Sequence, residues 1–443
     1  MSTEATISEI LATCEKFRIV SSGAGKSQLI NHVFQVNDAK VSDDRPGDAE
    51  IEKPITSQQN TRFVLHDSRG FEPANLETFN IVRDFIEQKS DRNLELRDRV
   101  HAVWLCIQTP THGARVLETG DEEVLKLAHR CQIPVVVVFT QFDRLVRQPG
   151  YKEGDFEASV QILQDAASKL RIPVPRYITV SVRKKYDKNI PVLVDITREV
   201  VDEHVKGDAW VIWSVAQRAS VPLKIEACIA KGMNSYWQAL SGAIPGVGHM
   251  LLHQCLATVH REIIMCWNFP DAENLLIDDK FRHLMLYVVQ DMHTGSGAAS
   301  AHGPEEGKVN LEKITQFLDL CTAITPAIAP PAAILGLAYL FLKWLSSEVL
   351  ENTSDVQRVL IAYTVDLILV LVELLNFALL KTSTSGKMTW TELDEAFQAY
   401  YRSPLQPSVH KRVRDLVGQH GRPNLDLVII REKIESIVKE CRS

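Results

Sequence analysis

The run Ser21-Ser22-Gly23-Ala24-Gly25-Lys26-Ser27 lies between an apolar segment, Phe17-Arg18-Ile19-Val20, and a stretch from Gln28 to Phe34 that reads as the start of a helix. Strand, glycine turn and helix in that order constrain this chain more than any other feature, because together they make a cradle for phosphate. Glycines let successive backbone N–H groups turn inward on phosphate oxygens. Lys26 adds a point charge for the outer phosphates, and Ser27 offers a hydroxyl to Mg²⁺. The candidate phosphate ligands are therefore Ser22, Gly23, Ala24, Gly25, Lys26 and Ser27. The full GxxxxGKS pattern is not met, since Val20 stands six residues before Lys26, where its first glycine belongs.

Three further segments extend this reading. Arg62 to Gly70 is an apolar strand ending in Asp67-Ser68-Arg69-Gly70, about 40 residues beyond Lys26. Asp67 at a strand end can hold Mg²⁺ through water, and the Gly70 N–H can touch an outer phosphate and report its loss. Arg99 to Ile107 is a third strand. Ile133 to Phe139 is a fourth, an unbroken β-branched run of the kind buried in a central parallel strand. It leads into Thr140-Gln141-Phe142-Asp143, where a carboxylate can accept from both N1–H and the 2-amino group of guanine; adenine offers neither donor. A fifth strand, Arg176 to Val180, runs into Ser181-Val182-Arg183, whose backbone N–H groups can meet guanine O6.

The ordered set GAGKS, DSRG, TQFD and SVR resembles the G domain of P-loop GTPases, in the class that includes translation-factor, Era-like and septin-like proteins. The wording LINHVF, RFVLHDSRGFE, VLETGDEEVLKLA and VVVVFTQFDRL looks most like uncharacterised G-domain proteins of fungi. The resemblance covers Phe17 to His204 and implies a mostly parallel central sheet, GTP or GDP as ligand, and Mg²⁺ held by Ser27, Asp67 and a switch hydroxyl. Ser42, in the polar segment Asn37 to Asp48, is the better-placed hydroxyl. Thr56 falls in the turn of an expected antiparallel hairpin between Ala49–Ile55 and Arg62–His66.

The sequence departs from the family pattern in three ways. The stretch between Ile19 and Gly25 is about three residues short, Thr140-Gln141 replaces the usual Asn-Lys, and Phe71 follows DxxG where many members carry a water-positioning Gln. Slow hydrolysis is the expectation, with a partner or a second copy supplying the missing group. The alternative is a degenerate G domain that serves as a binding scaffold. An ATP-using enzyme is disfavoured by TQFD. The paired acids Asp121-Glu122-Glu123 read as a helix first turn with Thr119 as cap.

Composition limits the remaining classes. At 443 residues the chain holds two or three domains, and 24% charged with 45% hydrophobic residues is globular. A net charge of −7 and the lack of a basic stripe argue against a nucleic-acid partner. Eight scattered cysteines and an acidic N-terminus without an apolar h-region point to a reducing, cytoplasmic setting.

Residues 1–15 read as an extension, 16–207 as the G domain, and 208–443 as an all-α domain interrupted by a low-complexity loop, 293–308. Helical spacing in Trp210, Trp213, Ala216, Gln217 and Val221 marks the change. Ile244 to Gly248 reads as a loop, and His249, His253 and His260 as core or solvated histidines. Two apolar stretches, Leu320–Leu342 and Val359–Leu380, raise membrane contact. Prolines leave only Ala332–Leu345 of the first as a continuous helix, about 21 Å against a bilayer core of about 30 Å. Asp366 and Glu373, seven residues apart, lie on one stripe of the second, a pattern that fits a buried hairpin better than two spans.

Overall fold

The computed structural model describes residues 5–23, 25–36, 51–52, 54–67, 76–111, 116–205, 208–234, 252–293, 345, 354–380, 388–418 and 427–441. By contacts the chain divides into two compact units, Ser8–Lys224 and Ile225–Ser443, the second including Met1–Ile7.

The first unit is built on five parallel strands, β1 (Phe17–Gly23), β2 (Phe63–Asp67), β3 (Ala102–Gln108), β4 (Val135–Thr140) and β5 (Arg176–Thr179), in the order β2-β1-β3-β4-β5. Its helices are α1 (Ile7–Thr13), α2 (Lys26–Phe34), α3 (Leu76–Lys89), α4 (Thr119–Cys131), α5 (Phe142–Val146), α6 (Glu157–Leu170), α7 (Ile190–His204), α8 (Ala209–Ala216) and α9 (Val221–Ala227), which runs into the second unit. Parallel strands need crossovers, and these helices cover both faces. Val103, Leu105 and Ile107 of β3 pack with Val82, Phe85 and Ile86 of α3 and Val124, Leu125 and Leu127 of α4. Trp104 points the other way, donating from Nε1 to Thr197 Oγ1 of α7 at 3.1 Å and meeting Trp213 of α8 edge-on at 5.9 Å. Residues facing alternately to two covered sides explain why the central strands β3 and β4 are apolar over most of their length.

Several element bounds differ from the sequence reading. β4 begins at Val135 because Pro134 has no N–H for a ladder. The expected hairpin arm is reduced, among the described residues, to one antiparallel bridge between Ile55 and Leu65, with N···O distances of 2.8 and 3.0 Å. Glu118, not Thr119, occupies the cap of α4, and its N–H donates to Asp121 Oδ2 at 2.9 Å. Asp121 and Glu122 thus form an acidic first turn, as expected, and burial raises the Asp121 carboxyl to about 6.

Residues 208–224 belong with the sheet, not with the helical half. Trp213 is the cause: it is fully buried, stacks its edge against Phe17, Phe34 and Trp104, and donates to the Val194 carbonyl at 2.9 Å. The helical stripe breaks at Gln217, whose Oε1 accepts from the backbone N–H of Ala219 and Ser220, both at 2.8 Å.

The second unit is all-helical among its described residues: α10 (Leu252–Trp267), α11 (Asp279–Val288), α12 (Ser354–Leu380), α13 (Trp390–Tyr401), α14 (Leu405–Gly418) and α15 (Leu427–Glu440). Near its start, Asn234 Nδ2 donates to the Ala5 carbonyl at 2.7 Å, tying the residues just before α1 to this unit. The centre is α12, which contacts the other five. Its apolar stretch Ser354–Phe377 is long enough to cross a membrane by composition, yet 89% of the window is buried in the protein. It therefore serves as a core helix here. Its expected hairpin partner within Leu320–Leu342, the loop Ile244–Gly248, His249 and nearly all of 293–308 lie outside the described residues.

Asp366 of α12 is fully buried and gives one oxygen to the Tyr400 hydroxyl and the other to His410 Nε2 at 2.9 Å. His410 Nδ1 faces Asp291 at 2.8 Å, and Arg414 closes the chain on Asp291. Burial pulls His410 down, but bonds to Asp291 and Asp366 and their charges outweigh it and raise it to about 9. His260 has no such counter-charge; buried against the Leu276 carbonyl and Tyr363 hydroxyl, it drops to about 4. The signs are opposite. A raised His410 stabilises fully below its unfolded value of about 6.5, and this is lost as pH climbs through about 9. A depressed His260 favours folding above about 6.5, and this is lost as pH falls toward about 4. Denaturant midpoints of the helical unit should therefore peak near pH 6.5 and fall on both sides. A midpoint that rises steadily from pH 6.5 to 9 would exclude the His410 bridge.

Candidate functional site

In open α/β sheets ligands gather at the carboxyl ends of the strands, and the predicted site residues that the structure describes lie at that edge. Gly23 ends β1, Asp67 ends β2, Thr140 ends β4, and Ser181 follows β5. Asp67 stands beside Ser21 in the ladder. Ser42, Gly70 and Ala24, together with Phe71, lie outside the described residues.

The phosphate end departs from the expected loop. β1 does not stop at Val20 but continues through Ser21, Ser22 and Gly23, which pair with Trp104, Leu105 and Cys106 of β3. Small side chains fit this crowded register. A Cβ on Gly23, whose φ is +89°, would sit 1.8 Å from the Cys106 carbonyl oxygen, so no other residue fits there. Only Ala24 and Gly25 then separate strand from helix, and α2 starts at Lys26. Gly25 is left-handed at φ +77°, and a Cβ there would come within 2.9 Å of Thr140 Oγ1. It provides no side-chain cap, so the first turn of α2, with Ser27 in it, presents backbone N–H groups to an incoming anion. Lys26 Nζ donates to the Gly23 carbonyl at 3.3 Å.

The base end is built as a rigid pair of loops. The Thr140 carbonyl accepts from both the N–H and the hydroxyl of Thr109, at 2.9 and 2.7 Å. Gln141 is left-handed at φ 55° and opens α5. Phe142 N–H donates to the Val180 carbonyl and Val180 N–H to the Phe139 carbonyl, at 3.1 and 2.8 Å, locking the turn after β4 to the turn after β5. That lock brings Ser181 Oγ to Asp143 Oδ1 at 2.8 Å. Asp143 is 3% exposed. Its Oδ2 accepts no hydrogen bond, and neither does the buried Gln141 Oε1. Val182 is half-buried at the lip of the loop.

Oδ2 has an ion-pair contact with the exposed Arg183 but no aligned donor, and a buried carboxylate oxygen in that state is costly unless something completes it. The guanine N1–H and 2-amino donors fit that need, so the base end suits a guanine nucleotide. A Mg²⁺ ion would find one hydroxyl, Ser27, on the helix after β1 and one carboxylate, Asp67, at the end of the neighbouring strand, oxygen donors of the kind that cation takes. Thr109 is a neighbour of the site that motif spacing does not single out, and Arg183 enters the motif reading only through its backbone N–H, not through its side chain. Thr109 is legible only as the polar residue closing an apolar strand. Arg183 Nε lies 3.1 Å from Asp143 Oδ2.

Residues 21–141 match the model of the family described as 50S ribosome-binding GTPase, and residues 275–443 match that of a domain of unknown function (DUF8505). No curated protein matches the chain. The first match, the strand order and the site at the carboxyl edge agree on an α/β G-domain fold for the first unit, and the described residues of the second unit are helical. Asp143 lies just beyond the matched stretch and Ser181 well beyond it, so the base-facing groups rest on the geometry above.

Proposed function

We propose that this chain is a guanine-nucleotide-binding protein, a slow GTPase acting as a Mg²⁺-dependent switch whose output is its helical half. The observation that carries the reading is Asp143, buried, oriented by Ser181 and with a second oxygen that accepts no aligned hydrogen bond, only the ion pair with the exposed Arg183. In this role Asp143 selects guanine and the Val182 region meets its O6. Thr140 and Gln141 border the base, with Gln141 covering one face. Lys26 and the first turn of α2 hold phosphate, while Ser27, Asp67 and Ser42 hold the cation. Gly70 senses the outer phosphate. Bound Mg²⁺ would neutralise charge that develops on the phosphate oxygens. Phe71 cannot orient a water molecule, which is the reason for expecting slow turnover and a partner or second copy that supplies the missing group.

A second reading, a degenerate G domain working as a scaffold, is favoured by one feature. β1 runs in register through Gly23, which takes from the cradle residues that would otherwise wrap phosphate. Binding of fluorescent GTP, GDP and ATP to the full-length chain separates the two. Lys26→Ala should weaken GTP binding by about 10- to 100-fold, the worth of one charged hydrogen-bonding group at about 1.4 kcal/mol per decade. If the variant binds GTP as the parent does, the cradle assignment is wrong.

A further inference from the structure

We propose that Arg183 is a built-in competitor of the guanine base, covering the Asp143 edge until nucleotide displaces it; the inference rests on the reading of Asp143 as the base-selecting carboxylate. The edge of guanine that such a carboxylate accepts, N1–H together with the 2-amino group, is a guanidine fragment: nitrogen donors joined through one carbon. An arginine side chain ends in the same fragment. Arg183 Nε lies 3.1 Å from Asp143 Oδ2, the oxygen that remains when Ser181 Oγ takes Oδ1. Arg147, one turn along α5, stands at 3.8 Å from that oxygen.

Burial is asymmetric across the pair. The Asp143 side chain is 5% exposed and that of Arg183 is 61% exposed, so the guanidinium reaches in from solvent and can leave without opening the core. Oδ2 accepts no aligned hydrogen bond, so charge and proximity alone hold the arginine there. A ligand with better-directed donors can replace it. The same loop supplies both parts, since the Arg183 N–H donates to Ser181 Oγ at 3.3 Å while that hydroxyl orients Asp143. Adenine presents no pair of donors in this geometry. It would have to break the ion pair and leave the carboxylate unmet, so the contact also sharpens base choice.

A protein whose competent form is only part of the population binds with its affinity reduced by that fraction. For an exposed partner the reduction is modest, about fivefold. The test is equilibrium and stopped-flow binding of ribose-labelled GDP to the full-length parent, Arg183→Ala and Asp143→Asn. Arg183→Ala should bind about fivefold tighter, chiefly through faster association. The sign decides the matter, because an arginine that served phosphate or stacked on the base would lower affinity when removed. Unchanged or weaker binding by Arg183→Ala, with guanine binding still lost in Asp143→Asn, overturns the competitor and leaves the base site standing. If Asp143→Asn binds GDP as the parent does, or if neither parent nor Arg183→Ala binds it, the base-site reading fails and this inference with it.

Discussion

Asp143→Asn should lose guanine nucleotide by about 10²- to 10⁴-fold and gain xanthine nucleotide in its place. The buried carboxylate has Oδ1 taken by Ser181 and Oδ2 without an aligned hydrogen bond, faced by the exposed Arg183 guanidinium. Guanine brings two donors to that edge, and both are well met by an acceptor-only group. An asparagine puts an amide NH₂ where the open oxygen was. Donor then faces donor, and the desolvated groups on both sides go unmet. Xanthine carries a carbonyl at C2 in place of the amine, which accepts from that same NH₂. Competition of GDP and XDP against a labelled nucleotide reads the exchange directly. Retained guanine preference in the variant would mean that the base is read elsewhere.

The second large effect lies in the helical half. Asp366→Ala should destabilise that unit by about 3–5 kcal/mol, the usual cost of removing one member of a buried charge pair. Asp366 is fully buried on a long apolar helix, with His410 at 2.9 Å and the Tyr400 hydroxyl on its other oxygen. Truncation strands a charged His410 and a phenol in the core while Asp291 still holds the other imidazole nitrogen. Denaturant unfolding followed by fluorescence of Trp267 and Trp390, which lie in this unit, would show the loss. A change below about 1 kcal/mol would identify the network as a surface-type pair of little worth. Replacing both Asp366 and His410 should cost less than the sum of the two single changes, because neither leaves the other uncompensated.

The order of the motifs was legible because each follows a strand, and the central ones, β3 and β4, are runs of buried apolar residues of the kind a sheet covered on both faces produces. The end of β1 was not. Ser21-Ser22-Gly23 has the composition of a loop, and its pairing with Trp104, Leu105 and Cys106 depends on how closely β3 approaches. By contacts the division between the units falls at Lys224–Ile225 and not near residue 207, for a similar reason. Helical spacing around Trp213 marks a helix, but contact with Phe17, Phe34 and Trp104 decides which core it joins. Asp366 stood out as a charge on an apolar helix. Its partners, 44 residues away at His410 and 34 away at Tyr400, sit on other helices and carry no periodic signal. At the site itself Asp143 could be named from its motif, whereas the open state of Oδ2 and the approach of Arg183 depend on the turn geometry after β4 and β5.

The most direct test is calorimetric titration of the full-length chain with GDP and with ADP, each with and without Mg²⁺. Saturable one-to-one binding of GDP, strengthened by Mg²⁺ and at least 10²-fold tighter than ADP, is the expected result for a base site built on a buried carboxylate. Equal affinity for the two nucleotides, or heat from neither with a folded protein, would contradict it and leave the helical half as the working part of the molecule.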